Sequence, residues 1–105
     1  MKIEDLKEFY EKDVAFLTQH VIERCKQRDI RPKHIRIAVM TGEIIEDYPD
    51  DFPTPSCLIL GYPSIGVPLH VVIASDGESA KIVTAYYPDK DKWEEDTKTR
   101  KECLK

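Results

Sequence analysis

The chain has 105 residues, of which 41% are hydrophobic and 34% are charged. This length supplies one modest hydrophobic core, so we expect a single globular domain over residues 1–105 and exclude a disordered chain. A formal charge of −4 does not indicate a nucleic-acid-binding protein. The longest apolar run, near Leu69 to Ala74, is far shorter than the roughly 20 residues that span a membrane. The charged N-terminal residues lack the apolar core of a signal peptide, so we expect a cytoplasmic protein without a membrane partner.

The first forty residues predict two helices. Apolar residues recur at helical spacing from Ile3 to about Gln27, and a break near Val14 or Thr18 is possible because Thr18 is a plausible N-cap. The proline at position 32 forces the residue before it out of helical geometry, which ends this first helix. Pro32 then suits the first turn of a second helix, and Gly42 stops that helix as its C-cap.

From Glu43 onward the apolar period changes to two. The pattern predicts four strands, at Glu43–Tyr48, Ser56–Tyr62, Val67–Ala74 and Ala80–Tyr87, joined by short turns and one proline-rich loop. Residues 89–102 predict a short amphipathic or frayed C-terminal helix. The expected fold is therefore α+β, with two N-terminal helices, a four-stranded antiparallel meander and a short C-terminal helix.

Charge is distributed unevenly along the chain. Basic residues dominate between His20 and Arg36, whereas five acidic residues stand between Glu43 and Asp51 without a basic one. The basic region could hold an anion, and the acidic region could repel one or meet a basic partner. Two solvated charged faces are the ordinary alternative.

The cysteines and two aromatic residues have structural interpretations. Cys25, Cys57 and Cys103 have no C-x-x-C spacing, so we expect neither a closed disulfide set nor a zinc site, and we interpret the thiols as free and buried. Trp93 and Tyr87 are most simply core aromatics, although an aromatic residue at a helix start could also stack on a base. No metal or cofactor is predicted.

His70 is the one imidazole in an apolar strand, where burial without partners costs about 1–3 kcal/mol. Because side chains alternate along a strand, His70 lies on the face opposite its aliphatic neighbours. A three-residue turn at 76–78 sets His70 opposite Thr84 with Tyr86 on the same face, whereas a two-residue turn sets it opposite Val83. We prefer the first register because it groups polar with polar residues. A histidine hydrogen-bonded within the sheet is the structural alternative to a site.

His20 and Arg24 lie four residues apart on the first helix, so their side chains lie one above the other. Their stripe is next to the apolar stripe of the helix, from which they could reach over the rim of a sheet. An ordinary surface pair is the alternative interpretation.

These residues and their order resemble a small bacterial family of unknown function, DUF4258. The resemblance covers about residues 18 to 100 and rests on seven motifs: H-x-x-x-R at His20 and Arg24, GEIIEDYPDD at 42–51, PSCLILG at 55–61, PLHVV at 68–72, TAYYP at 84–88, K-W at Lys92 and Trp93, and Arg100. That family is similar to toxins of the RelE and MqsR type, within the barnase/EndoU/colicin/RelE nuclease superfamily. The resemblance therefore implies a RelE-like domain and the toxin of a bacterial type II toxin-antitoxin system, often paired with a zinc-finger antitoxin, that cleaves messenger RNA without a metal.

Metal-free RNA cleavage needs a base for the 2′-hydroxyl proton, cations for the charged phosphorane and an acid for the leaving 5′-oxygen. Histidine suits either proton-transfer role, arginine binds phosphate bidentately, and tyrosine or threonine can hydrogen-bond it. The candidate catalytic residues are accordingly His70, Tyr86, His20, Arg24 and Thr84. The candidate phosphate- and RNA-binding residues are Arg100, Lys92 and Arg28.

The acidic stretch from Glu46 to Asp51 would repel RNA, which leaves three interpretations open. The active face is locally basic through residues 20–36, the acidic stretch docks a basic antitoxin, or the ligand is not RNA. A different class of function is a catalytically inert module that binds a protein partner through its sheet edge or acidic loop. A small hydrolase or ligand-binding domain using a His70 pocket is a third class.

Overall fold

The chain folds as an α+β domain in a computed structural model that describes residues 1–101. In chain order its elements are α1 Ile3–Glu11, β1 Ala15–Phe16, α2 Gln19–Gln27, α3 Pro32–Thr41, β2 Glu43–Tyr48, β3 Ser56–Ser64, β4 Val67–Ser75 and β5 Ala80–Tyr86. The five strands form one mixed sheet in the order β1-β5-β4-β3-β2. Strand β1 runs parallel to β5, and the other neighbours are antiparallel. No helix within residues 1–101 is long and apolar enough to cross a membrane.

The predicted arrangement of two helices before a four-stranded antiparallel meander is wrong, because the first predicted helix is divided. Helix α1 ends at Glu11, Asp13 adopts a positive φ of 58°, and Ala15 then pairs in parallel with Ala80 of β5. Helix α2 begins after Thr18, whose side chain accepts a hydrogen bond from the amide of Val21 at 3.1 Å, as the N-cap prediction required. A two-residue strand is too short to display an apolar period of two, and it forms because the edge of β5 supplies its backbone partners.

The predicted C-terminal helix is also wrong over the described residues, and its last position, residue 102, lies outside them. Residues 89–101 form turns with one isolated bridge between Trp93 and Arg100. The Asp89 carboxylate accepts the amide of Asp91, and the Asp96 carboxylate accepts two amides, at 2.9 and 3.0 Å. Such local side-chain bonds compete with helical hydrogen bonding, so the segment turns instead of continuing a helix.

Strands β2 to β5 confirm the predicted strands to within two residues at each end, but the last hairpin has a different register. Its turn is one residue longer than predicted, because Ser75 pairs with Ala80 and the Asp76 carboxylate caps the turn. A bulge beside Val72 and Ile73 adds one further residue on β5. The longer turn and the bulge together shift the pairing by two residues, so His70 pairs with Tyr86 instead of Thr84. Because a shift of two residues does not change the face of a strand, Thr84 and Tyr86 stay on the same face as His70, as predicted.

The sheet separates two layers. On its inner face the helices enclose the main core, in which Leu6, Ile35 and Val39 pack with Ile59 and Val71. Helix α3 crosses β3 so closely that a Cβ on Gly61 would lie 1.9 Å from the carbonyl oxygen of Ala38. The chain segment 89–101 lies against the opposite face.

We call this opposite side the outer face; its side chains come from Glu46 and Tyr48 of β2, Leu58 and Leu60 of β3, His70 of β4 and Tyr86 of β5. Leu58, Leu60 and Trp93 are buried there, which fits the core interpretation of Trp93. Tyr87, predicted as a second core aromatic, is 41% exposed, because its hydroxyl donates to the carbonyl of Asp29 at the surface. Cys25 and Cys57 are free and buried as predicted, and Cys103 lies outside the described residues.

Candidate functional site

Seven of the eight predicted site residues, all except Lys92, lie in two regions of the molecule. His20, Arg24, Arg28 and Thr84 lie where α2 meets the edge of β5, and we call this region the cationic rim. His70, Tyr86 and Arg100 lie on the outer face. The two regions have different accessibility and different chemistry.

The cationic rim contains a small cleft of about 190 Å³, which is lined by His20, Val21, Arg24, Val83 and Thr84. The spacing of four residues brings His20 and Arg24 to the same side of α2, and both side chains are exposed. Thr84 of β5 also lines the cleft, and its pairing with Val72 places it at the border of the outer face. The cleft therefore offers an imidazole, a guanidinium and a hydroxyl to one ligand.

Arg28 fastens α2 to the sheet beside this cleft. Its Nη1 donates to the carbonyl oxygen of Ala85 at 2.8 Å and to Oγ1 of Thr84 at 3.2 Å. The carbonyl of Ala85 is available because β1 pairs with β5 only at Ala80 and Lys81. Arg28 thus positions Thr84 as well as adding a positive charge, a structural role that the sequence did not indicate.

The imidazole of His70 is enclosed on the outer face and is 0% exposed. Its ring lies edge-on to Tyr86, with centroids 5.4 Å apart, and to Trp93, with centroids 4.5 Å apart. Nε2 lies 2.7 Å from the carbonyl oxygen of Thr97, which can only accept, so Nε2 carries the proton. Nδ1 is buried and has no hydrogen-bond partner among residues 1–101. Burial lowers the pKa of His70, which keeps the imidazole neutral in this arrangement.

Arg100 is engaged by a carboxylate rather than presented to a ligand. Its Nε and Nη2 donate to the two carboxylate oxygens of Glu46 at 2.7 and 2.9 Å, and its guanidinium carbon lies 4.6 Å from the centroid of the Trp93 ring. The hydroxyl of Tyr48 also donates to Glu46. The hydrogen bonds from Arg100 hold the pKa of Glu46 below its usual value. A phosphate-binding role for Arg100 would require this ion pair to separate.

Sequence reasoning did not identify Glu46, Tyr48 and Trp93 as members of the His70 surroundings. Two signals were available, because strand alternation places Glu46 and Tyr48 on one face of β2 and because the K-W motif contains Trp93. Their approach to His70 depends on the path of residues 89–101, which the pattern did not predict. Lys92, next to Trp93, has an exposed side chain.

The acidic stretch is partly neutralised within the molecule. Glu43 pairs with Lys98, Glu46 pairs with Arg100, and the Asp51 carboxylate accepts a hydrogen bond from Ser56. The N-terminal amine lies 3.9 Å from Asp47. The negative charge presented to a ligand is therefore smaller than the sequence alone indicates.

The structure thus brings His70 and Tyr86 together, and it brings His20, Arg24, Arg28 and Thr84 together. The described contacts of the His70 ring are with Tyr86, Trp93 and Thr97, none of which belongs to α2. Within residues 1–101 there is no group of three or more His, Cys, Asp or Glu side chains arranged to hold a metal ion. The catalytic roles of the site residues stay predictions.

The chain was compared with protein families, curated proteins and solved structures. A family model described as "Domain of unknown function (DUF4258)" matches residues 17–87. No curated protein and no solved structure matches the chain. The matched region runs from the start of α2 to the end of β5, so it includes the cationic rim and His70 and ends before residues 89–101.

Proposed function

This chain belongs to the DUF4258 family of domains of unknown function, and we propose that it is a metal-independent endoribonuclease that cleaves messenger RNA at its cationic rim. The observation that supports this most is the cleft in which His20, Arg24 and Thr84 meet. Those are the side-chain types that phosphodiester cleavage without a metal requires, and His20 and Arg24 are exposed on one side of α2, with Arg28 beside the cleft.

In this proposal the 2′-oxygen of a ribose attacks the neighbouring phosphorus, and the bond from phosphorus to the 5′-oxygen breaks. His20 takes the proton from the 2′-hydroxyl and returns it to the leaving 5′-oxygen, so that one imidazole serves as base and then as acid. Arg24 pairs with the phosphate oxygens, and the hydroxyl of Thr84, oriented by Arg28, donates to them. The products are a 2′,3′-cyclic phosphate and a free 5′-hydroxyl.

Proton transfer is assigned to His20 rather than to His70 because His70 is fully buried in the arrangement described. Tyr86 and Arg100, the other predicted site residues of the outer face, are likewise engaged with His70 and Glu46. The outer face would contribute to cleavage only after residues 89–101 had moved.

The biological part of the proposal is a toxin of a type II toxin-antitoxin system. It acts in the cytoplasm and is held inactive by a zinc-finger antitoxin. This part rests on the resemblance to RelE- and MqsR-like toxins.

A cleavage assay in EDTA with matched variants tests the proposal. The full chain is purified in parallel with His20→Ala, Arg24→Ala and Lys26→Ala, and each is incubated with messenger RNA. We expect His20→Ala to reduce the cleavage rate about 10²- to 10⁴-fold, the range for loss of a general acid or base. Lys26 is a cation on the other side of α2, so Lys26→Ala should stay within about twofold of the parent if only the rim matters. Absence of cleavage by the parent, or cleavage at full rate by His20→Ala, would overturn the proposal.

A catalytically inert interaction module is the second candidate, and two observations favour it. His70 is inaccessible, and within residues 1–101 β2 is an edge strand that pairs only with β3, so in this part of the chain one side of Glu43–Tyr48 is open to an added strand. This function predicts neither RNA cleavage nor growth arrest. It predicts instead that a bound partner slows amide hydrogen exchange in β2.

A further inference from the structure

Residues 89–101 are attached to the rest of the protein in an unusual way, and we call them the cover. Their backbone hydrogen bonds among the described residues are all internal to the cover, for example from Trp93 to Asp89, from Glu94 to Thr99 and from Lys101 to Lys92. None joins the cover to a strand of the sheet within residues 1–101. The cover is therefore a set of turns with its own internal backbone hydrogen bonds, and every described hydrogen bond that holds it against the outer face involves a side chain.

The outer attachments of the cover are two ion pairs with solvent-exposed cations. Arg100 pairs with Glu46 and Lys98 pairs with Glu43, and the side chains of Arg100 and Lys98 are 56% and 48% exposed. The pair of Lys98 with Glu43 is exposed on both sides, so it contributes little to stability and salt weakens it. The pair of Arg100 with Glu46 is bidentate and its carboxylate is largely shielded, so it is the firmer of the two.

His70 is the central attachment. Its ring packs against Trp93 of the cover, and its Nε2 donates to the carbonyl oxygen of Thr97 of the cover. Both contacts are made with a neutral imidazole, because Nδ1 is buried with no acceptor among residues 1–101. The protonation state of His70 therefore affects how well the cover packs against the outer face.

The charged and titratable groups around His70 come from each element that packs on it. Glu46 approaches from β2 with the hydroxyl of Tyr48 bound to it, Tyr86 approaches from β5, and Arg100 approaches from the cover. Glu46 would favour a charged imidazole, but its carboxylate oxygens are already bound by Arg100, whose own charge opposes protonation. A second proton on His70 would place a buried charge and an unpaired N–H beneath the cover.

We propose that residues 89–101 open away from the sheet when His70 takes up a proton, which exposes His70, Tyr86 and the rest of the outer face to solvent and ligands. The imidazole then exchanges its place under Trp93 for contact with water. Because the open form binds one more proton than the closed form, the ratio of open to closed molecules rises about tenfold for each pH unit within the window. The window begins near the ordinary pKa of histidine, about 6.5, and extends downward to the lowered pKa of His70 in the closed form. The opening does not depend on whether the protein cleaves RNA.

Trp93 reports the position of the cover directly, because it is the only tryptophan in the chain and is 4% exposed in the closed form. Its emission maximum and its quenching by acrylamide are followed in the full-length protein from pH 7.5 to pH 5, with far-UV circular dichroism recorded on the same samples. We expect the emission to shift to longer wavelength and the quenching constant to rise severalfold as the pH falls, while the circular dichroism of the sheet and helices stays unchanged. Shielding of Trp93 that persists to pH 5, or exposure that coincides with loss of circular dichroism, would overturn the inference.

Two variants assign the effect to His70. His70→Gln keeps an amide that can donate to Thr97 but cannot take up a proton, so we expect the pH response of Trp93 to disappear. His20→Gln removes an exposed histidine that makes no described hydrogen bond or ring contact with the cover, so it should respond like the parent, whereas equal responses of His70→Gln and the parent would contradict the assignment. Should His70→Gln fail to fold, Glu46→Gln provides the test, because it removes the carboxylate that binds Arg100 and should move the midpoint of opening to higher pH. An unchanged midpoint in Glu46→Gln would then contradict the proposed opening of the cover.

Discussion

Among the glycines, Gly61 has the closest surrounding backbone, so Gly61→Ala tests the arrangement of α3 on β3. An added Cβ would lie 1.9 Å from the oxygen, 2.4 Å from the carbonyl carbon and 2.6 Å from the Cα of Ala38. These are backbone atoms, so no flexible side chain can move aside. The distance from the new Cβ to the oxygen must grow from 1.9 Å to at least 3.4 Å, which moves α3 and loosens the contacts of Ile35 and Val39 with the sheet.

Overpacking a core costs about 1–3 kcal/mol and occasionally more, and a clash with helix backbone belongs at the upper end, so we expect a loss of about 3 kcal/mol. Against a total stability of about 5–15 kcal/mol for a domain, that loss is large. At roughly 4–8 °C per kcal/mol, Tm should fall by more than about 12 °C. Urea and thermal unfolding of the parent and the variant measure both quantities.

Gly66→Ala is the matched control for this prediction. An added Cβ at Gly66 meets no atom within 4 Å, but its φ of +77° strains an alanine. That strain costs about 1–2 kcal/mol, which is less than the clash at Gly61. If Gly61→Ala were as stable as Gly66→Ala or more stable, the close approach of α3 to β3 would be refuted.

Two further predictions concern α2 and the outer face. Thr18→Ala removes the N-cap of the helix that carries the cationic rim and should cost about 1 kcal/mol in urea unfolding, whereas Thr18→Ser should keep nearly all of the stability; equal losses in both variants would argue against the cap. Because the pKa of Glu46 is lowered in the folded state, chiefly by Arg100, its stabilising effect is present above the ordinary glutamate pKa of 4.5 and is lost as pH falls through the lowered value. Glu46→Gln should therefore be less stable than the parent at pH 7, with a difference that shrinks below pH 4.5, and a difference independent of pH would exclude this linkage.

The strands that alternation and proline predict are present, because each of β2 to β5 has enough residues to show its period. Strand β1 has only Ala15 and Phe16, and its existence depends on backbone groups of β5 that are distant in sequence. The predicted helix over residues 89–101 is wrong for a local reason. The amphipathic spacing of this segment is typical of a helix, but the Asp89 and Asp96 carboxylates bind backbone amides in turns. The apolar periodicity of a sequence predicts neither a long-range strand pairing such as that of β1 nor these local side-chain hydrogen bonds.

The sequence predicted which site residues share a strand face or a helix face, but it did not predict how these faces lie relative to one another. His70 and Tyr86 share a face because strand parity survives the shift of two residues that the longer turn and the bulge produce. The separation of His20 and Arg24 from His70 depends on where α2 lies against β5, and that position is set by tertiary packing. The enclosure of His70 by Trp93 depends on the path of the cover, which the periodicity of the chain does not specify.

The central claim, that RNA binds at the cationic rim, is tested most directly by the salt dependence of RNA affinity. A fluorescent 2′-O-methyl RNA, which cannot be cleaved through its 2′-oxygen, is titrated with the parent, Arg24→Ala and Lys26→Ala between 50 and 200 mM salt and followed by anisotropy. We expect Arg24→Ala to bind more weakly at every salt concentration and to reduce the slope of log affinity against log salt by about 0.7 to 1, the loss of one phosphate contact. Lys26→Ala should keep the parent slope. Equal slopes for all three proteins, or equal losses in the two variants, would contradict binding at the rim.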